Sequence, residues 1–389
     1  MSHDDDERRT ARMIRGESWA SFCDQLKNAG QVVLSGPDDE LTRAEGFRYL
    51  SRIARAALQT FVEHGDPRVP VLQRVVHETA KMGADNPDNV YLNATLHGDF
   101  RYVVRGKRPL PQLTPGARAE GQTSVSLATQ HGHYGRGNGM PPVGQLDTTQ
   151  LTTREDGRFE IFLATRAPDA LGAGQHFLPI GEGLGTLIVR QYRLRPDDVL
   201  NELRIERDGG DGAPAVLTGP YLDDALEQCG GLVNGAAMLF SAWAGMFQAH
   251  TNQLPRFDQE MSNRFGGLKD IAYYHSYWRL ADDEALVIEA SPPPCDHWNF
   301  QLNNHWMESL DYRFHRIHLN SAIAATRPDG SIRLIVAHTD PGLPNWIETV
   351  GHRFGTMCFR WVRPSLPDGT EPPVPSCRVV KHAELGSLL

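Results

Sequence analysis

Two hydrophobic periods divide the chain. Near the N-terminus, Phe47, Leu50, Ile53, Ala57, Leu58 and Phe61 return at intervals of three and four, which predicts an amphipathic helix within a mainly helical stretch, 9–82. Asp39 to Thr42 supply its start and Gly65-Asp66-Pro67 its stop, and a shorter helix is predicted over 71–81. The turn cluster Gly83 to Asn89 then changes the period to two, because alternate side chains of a strand face opposite ways. Tyr91–Leu96 and Phe100–Arg105 read as strands joined by a tight turn at Gly98-Asp99, followed by Ser124–Ala128, a run from Leu146 to Arg195, and Leu200–Arg207. Residues 106–122 and 132–142 read as loops. Helices are predicted in 221–262, where Leu239, Trp243 and Phe247 mark one face. Strands return at Ile271–Leu280, Ala285–Glu289, Trp298–Asn303, His315–Ala324, Ile332–Ala337 and Thr356–Trp361, before a proline-rich tail expected to be loosely structured.

The strand-rich stretches are written twice. Asp156-Gly157 opens Arg158–Thr165 and is followed by Pro168, His176-Phe177, Gly185-Thr186, Arg190 and Arg193. Asp329-Gly330 opens Ser331–His338 and is followed by Pro341, Asn345-Trp346, Gly355-Thr356, Arg360 and Arg363. Upstream, Phe100–Pro109 matches Asp283–Pro292, and Ser124–Leu127 takes the place of Trp298–Leu302. The fold class that follows is α+β: two related antiparallel β-sandwich units, an N-terminal helical region and a helical segment between them. The expected boundaries are 1–82, 83–208, 209–267, 268–364 and 365–389.

Composition adds limits. With 39 Lys+Arg against 48 Asp+Glu the net charge is −9, and no basic run exceeds two, so no nucleic-acid partner is expected. Five scattered cysteines fit reduced thiols, and the first residues lack the pattern of a secretory signal, so a cytoplasmic location is expected. Gly230–Phe247 is uncharged and reaches membrane-spanning length, yet its glycines, alanines and polar spacers favour a buried or interface helix over a membrane partner. A homodimer formed around Trp243 is one expectation.

The densest reactive cluster lies in the second unit. Trp298, Phe300 and Leu302 give a core face; His297, Asn299, Gln301 and Asn303 give an opposite face of donors and acceptors suited to a small polar, uncharged organic ligand. His297 and His315, with Asp296 and Asp311, are the candidate acid/base residues, since a histidine beside a carboxylate relays protons near neutrality. Asn299, Gln301, Asn303, Trp306, Asn345, Trp346 and Arg360 are candidate ligand-binding residues, with Arg360 as an anion clamp. The polar members of His176-Phe177 and Asn345-Trp346 are expected to tie down a loop while the aromatics enter the core. Arg190 matches Arg360 in position and is expected to serve a structural pairing. His131 and His133 share a strand face and, with His97 or His176, form a weak metal candidate; no metal or other cofactor is expected. The nucleophile elbow, phosphate loop and dinucleotide fingerprint are all missing, which disfavours those chemistries.

Asp85-Asn86-Pro87-Asp88-Asn89-Val90-Tyr91, Trp298–Leu302, Trp306-Met307-Glu308-Ser309 and Asp340-Pro341-Gly342-Leu343-Pro344-Asn345-Trp346 resemble bacterial proteins of the DUF1214 family, a domain of unknown function. The resemblance covers about 270–363, with 85–207 as a diverged counterpart in which His176-Phe177 replaces Asn-Trp. It implies a jelly-roll-like β-sandwich and brings no established reaction. Three functions compete: an enzyme acting by general acid/base chemistry (hydrolysis, isomerisation or lyase chemistry), a non-catalytic small-molecule or saccharide binder with Trp298 or Trp306 stacking on its ligand, and an oligomerisation scaffold.

Overall fold

In the computed structural model, which describes residues 3–109, 123–133, 139–210 and 212–388, the chain opens with helices α1 (His3–Ile14), α2 (Glu17–Ser35) and α3 (Glu40–Leu58). The Asp39 carboxylate accepts the Thr42 N–H and so caps α3. Tyr49, Leu50, Ile53 and Ala57 turn inward as their spacing requires. The helix expected over 71–81 does not form. Gln73 pairs with the distant Asn93 and His77 closes a tight local bridge with Ala80, and these pairings replace helical bonds there. The later helices are α4 (Gly219–Phe247) and α5 (Gln259–Arg264). By length and composition α4 could cross a membrane; in this fold it packs against α1, α2 and α3 and buries Cys229, Val233, Ala236 and Phe240.

Eight strands build a first sandwich: β1 (Asn89–His97), β2 (Tyr102–Lys107), β3 (Ser124–His131), β4 (Pro142–Asp147), β5 (Arg158–Ala164), β6 (Gln175–Pro179), β7 (Leu184–Tyr192) and β8 (Glu202–Arg207). Eight more build a second: β9 (Ile271–Arg279), β10 (Glu284–Ala290), β11 (His297–Leu302), β12 (His318–Asn320), β13 (Ile332–Ala337), β14 (Trp346–Glu348), β15 (Phe354–Val362) and β16 (Ser376–Lys381). The first has sheets β1-β7-β3-β4 and β6-β5-β2-β8; the second has β9-β15-β11-β12 and β14-β13-β10-β16. Each strand of the first thus has a counterpart eight places later. Pairings are antiparallel except β5–β6 and β13–β14, which are parallel in both copies.

Each core is the inner face of two sheets. Val125, Leu127, Ile161, Leu163, Leu187 and Val189 fill the first, and Leu286, Trp298, Phe300, Leu334, Phe359 and Trp361 the second. Burial of such side chains contributes about 1.5–3 kcal/mol each.

Three expectations change. The Gly98-Asp99 turn closes no hairpin: β1 and β2 lie in opposite sheets, and the Gly98 N–H bonds the Gly183 carbonyl at 2.8 Å. The strand expected over 315–324 shrinks to β12, because the Asn320 side chain accepts the Ala322 N–H and starts a turn. The tail is partly ordered, since β16 pairs along the edge of β10 and Leu385 is buried behind it. The expected loops fall in part, at 110–122 and 134–138, outside the described residues.

The helical layer sits on the second sandwich. The Trp306 indole N–H donates to the Thr42 carbonyl at 2.8 Å, and a Cβ on Gly46 would stand 2.8 Å from that ring, so the approach requires glycine. Two ion pairs join the same surfaces, Arg52–Glu308 at 2.7 Å and His352–Glu45 at 3.0 Å, with Arg48 also on Glu45 at 2.8 Å. Burial opposes a charge on His352, but Glu45 and the Thr349 and Val350 carbonyls outweigh it and hold the imidazole above its usual range. A raised folded pKa makes the contribution complete below the unfolded value of about 6.5, and rising pH removes it through the folded pKa. His352→Gln should therefore cost about 2 kcal/mol near pH 5.5 and distinctly less near pH 9. Urea unfolding of both proteins across that range checks this; an equal cost throughout would remove the ion pair from the account.

Candidate functional site

The two inner sheets, β1-β7-β3-β4 and β9-β15-β11-β12, turn their non-core faces toward each other and toward the helices. Leu187 and Val189 point into one core and Phe359 and Trp361 into the other, so by alternation Arg190 and Arg360 point the opposite way. Across the ladders, Tyr91 is the partner of Arg190 and Tyr273 the partner of Arg360. Each guanidinium lies 5.9 Å from the ring centre of its tyrosine. Both Tyr–Arg pairs line one cavity of about 130 Å³. Asn89, Asn93 and His275 add polar atoms to it, and Phe240, Trp243, Phe265 and Ile271 form its apolar wall.

The two arginines are bound differently. Arg360 Nη1 donates to Gln301 Oε1 at 2.6 Å and to Asn299 Oδ1 at 3.3 Å, and Nη2 donates to the Ala84 carbonyl at 2.6 Å. The same amides donate outward: Asn299 Nδ2 to Asn86 Oδ1 and Asp88 Oδ2 at 2.6 and 2.8 Å, and Gln301 Nε2 to the Asp85 carbonyl at 2.8 Å. Asn320 Nδ2 completes the cluster on Asp88 Oδ1 at 2.6 Å. Burial would raise the Asp88 pKa, but His318 at 3.3 Å and these amides outweigh it and hold the carboxylate below its usual range.

In β3 the counterparts of Asn299 and Gln301 are Ser126 and Ala128, too short to reach a guanidinium in the same way. Arg190 Nη2 donates to the Gly266 carbonyl, while Nη1 is buried with no hydrogen-bond partner among the described residues. Three more buried atoms, each on a residue that lines the cavity, share that condition: Asn89 Oδ1, Asn93 Oδ1 and His275 Nδ1. The His275 ring is stacked between Phe247, at 5.4 Å, and Tyr273, at 5.8 Å. Burial, then the charge of Arg360, pushes its pKa down to about 3, so the imidazole is neutral.

Of the candidate catalytic and ligand-binding residues named from sequence, only Arg360 lines this cavity. Asn299, Gln301 and Asn303 are fully buried behind it as the wall that holds Arg360, and Asn303 donates to Thr356 Oγ1 at 3.3 Å. His297 is buried at the start of β11, its ring 4.9 Å from that of Tyr192. Asp296 is ion-paired with Arg363, Asp311 with Arg313 at 2.6 Å, and His315 with Glu348 at 3.0 Å. The structure does not bring these acid/base candidates together at one cavity. Trp298 lies in the sandwich core and Trp306 is buried with α3, and neither indole lines the cavity.

Asn345 does fix its loop, donating to the Ala325 and Arg333 carbonyls at 2.7 and 3.0 Å, and His176 lies 2.9 Å from the Thr152 carbonyl. Trp346, however, packs with Val287, Ala337 and Leu385 outside the sandwich core. His133 packs on Phe61, His97 lies beside Asp99 and His131 is exposed; among the described residues no three metal-binding side chains converge. Trp243 packs on Phe265 and His275, with ring centres at 5.6 and 6.4 Å.

Sequence reasoning missed Tyr91, Asn93, Tyr273 and His275. The available signal was alternation: Asn89, Tyr91 and Asn93 share one face of β1, and Tyr273 and His275 one face of β9.

The bonding difference predicts different stability losses. Arg360→Met leaves Asn299, Gln301 and the Ala84 carbonyl without their donor and should cost about 3–5 kcal/mol. Arg190→Met strands only the Gly266 carbonyl and should cost about 1 kcal/mol. Chemical denaturation of the two variants gives the comparison, and equal losses would contradict the assigned roles.

The model of a protein family of unknown function, DUF1214, matches residues 280–365. No curated protein matches the chain. The crystal structure of an uncharacterized protein from Burkholderia cenocepacia is 41% identical over 96% of this chain and 99% of that one, with a TM-score of 0.88. The VPA0106 protein from Vibrio parahaemolyticus, at 13% identity over 86% of this chain and 98% of that one, has a TM-score of 0.50 and shares the fold alone. Together, the domain match on the second sandwich and the near full-length likeness to the Burkholderia protein place the chain in the DUF1214 family.

Proposed function

We propose that this protein binds a small organic anion in the cavity between its two sandwiches, with Arg190 as the ligand-facing cation and Arg360 as the support of the opposite wall. The observation that carries this reading is Arg190 Nη1, a charged donor that is buried, belongs to a side chain lining the cavity and has no protein partner among the described residues. A buried charge without a partner costs several kcal/mol, and a carboxylate answers it with charge-assisted hydrogen bonds. Asn89 and Asn93 offer neutral polar contacts beside it.

Catalysis is the second reading. Asp85 and His275 line the same cavity, and burial pushes both toward their neutral forms, the carboxyl up and the imidazole down. Opposed shifts at one cavity favour acid/base chemistry on the bound anion.

An internal duplication is part of the proposal, supported by the shared strand order and the matched Tyr–Arg pairs. Five free cysteines support a reducing compartment, and we place the protein in the cytoplasm.

Thermal-shift titration with small carboxylates and their uncharged amides tests the anion site. A carboxylate at a hundred times its Kd should stabilise the wild type by about 2.7 kcal/mol, and the amide should not. Arg190→Gln should weaken the carboxylate about 100-fold, the loss of one partner of a buried charge pair. If the variant responds as the wild type does, the cavity is not an anion site.

A further inference from the structure

We infer that Tyr91 and Tyr273 are the hydrogen-bond donors of this site, and that its ligand is a small 2-oxo acid, its carboxylate met by Tyr91 and its keto oxygen by Tyr273. The inference rests on the anion-binding reading and adds the neutral donors that select among anions.

The two hydroxyls supply the first argument. Tyr91 Oη accepts the Asn86 N–H at 3.0 Å and the Asn89 side-chain N–H at 3.2 Å. Both lone pairs are thereby taken, and what remains for it to offer is its proton. Tyr273 Oη accepts the Leu268 N–H at 3.2 Å. Neither hydroxyl donates to a described residue. Burial raises the Tyr273 pKa against the opposing charges of Arg190 and Arg360, so this phenol keeps its proton. Both tyrosines line the cavity and stay partly exposed, whereas the two arginines are buried. An unmet donor on a cavity wall favours an acceptor on the ligand.

The unequal arginines set the orientation. Each lies 5.9 Å from the ring centre of its own tyrosine, Arg190 by Tyr91 and Arg360 by Tyr273. The terminal nitrogens of Arg360 are taken by Gln301, Asn299 and the Ala84 carbonyl. The Tyr273 end therefore offers a neutral donor and suits a carbonyl. Arg190 has one hydrogen bond among the described residues, to the Gly266 carbonyl. Its less compensated charge favours an anion at the Tyr91 end by Coulomb attraction, which needs no direct contact.

Size and donor count narrow the class. The cavity is about 130 Å³, and one of about 150 Å³ holds benzene, which has as many non-hydrogen atoms as pyruvate. A 2-hydroxy acid brings a donor of its own. The unpartnered acceptors nearby, Asn89 Oδ1 and Asn93 Oδ1, are sealed beyond its reach. Its hydroxyl proton goes unmet, which weakens binding about tenfold.

Calorimetric titration of the full chain with pyruvate, lactate, acetate and pyruvamide tests this. Pyruvate should bind at least tenfold more tightly than lactate or acetate. Tyr273→Phe should bring the preference for pyruvate over acetate to within threefold and leave acetate unchanged; a merely structural role would weaken both. Tyr91→Phe should weaken pyruvate and acetate alike, about tenfold, and keep the preference. If Tyr273→Phe does not fold, the wild-type ranking decides alone. Lactate or acetate matching pyruvate, or an unchanged preference in folded Tyr273→Phe, overturns the 2-oxo acid and leaves the anion site standing. Unchanged affinities in Tyr91→Phe overturn the part given to that hydroxyl. If none of the three acids binds, or pyruvamide matches pyruvate, the anion site falls as well.

Discussion

A guanidinium taken out of water is what the interior of this fold is arranged around. Desolvating Arg360 costs several kcal/mol unless its donors are met, and they are met by two side-chain amides, one carbonyl and the face of Tyr273. The amides act in two directions. Their oxygens accept from Arg360, and their nitrogens donate to the segment 85–88 that leads from the helices into the first sandwich. One buried charge thereby binds the second sandwich to the entry of the first. Ala84 and Met307, both at left-handed φ of 56° and 57°, join through an N–H to carbonyl bond of 2.7 Å beside this network. Such backbone costs roughly 1 kcal/mol or more per residue and persists only where surroundings over-determine it.

The helices depend on the same arrangement. Gly83, at φ +63°, lets the Phe240 ring of α4 come so close that a Cβ would stand 2.7 Å from it. That approach brings α4 down over the cavity, so Phe240 and Trp243 form its wall. On the other side of α3, Glu45, Arg52 and the Thr42 carbonyl fasten the layer to the second sandwich through His352, Glu308 and Trp306.

How much of this was legible followed from how local the cause is. The face of α3 and the alternation of β9, β11, β13 and β15 depend on neighbours within a few residues, and both could be read. The segment 71–81 and strand β16 take their form from β1 and β10, partners that no local pattern names. The candidate site behaves likewise. Alternation placed His297, Asn299, Gln301 and Asn303 on one face, but what covers that face is Asn86 and Asp88, with Asn86 213 residues away from Asn299. A row of amides looks the same whether it meets a ligand or a loop. Here it meets a loop, and only Arg360 reaches the cavity.

The repeat explains why the matched arginines of two similar units meet at one cavity. The non-core faces of the inner sheets meet at this cavity. At the shared cavity the matched arginines divide the work by the length of their neighbours. Asn299 and Gln301 reach Arg360 and saturate it; Ser126 and Ala128 cannot reach Arg190. A binding site needs a rigid wall as well as a free donor, because a donor that is ordered only by its ligand charges that ordering against affinity. In the proposed site Arg360, locked by its amides, holds Tyr273 beside the stacked His275, and this leaves Arg190, fixed at one end by Gly266, to face the ligand.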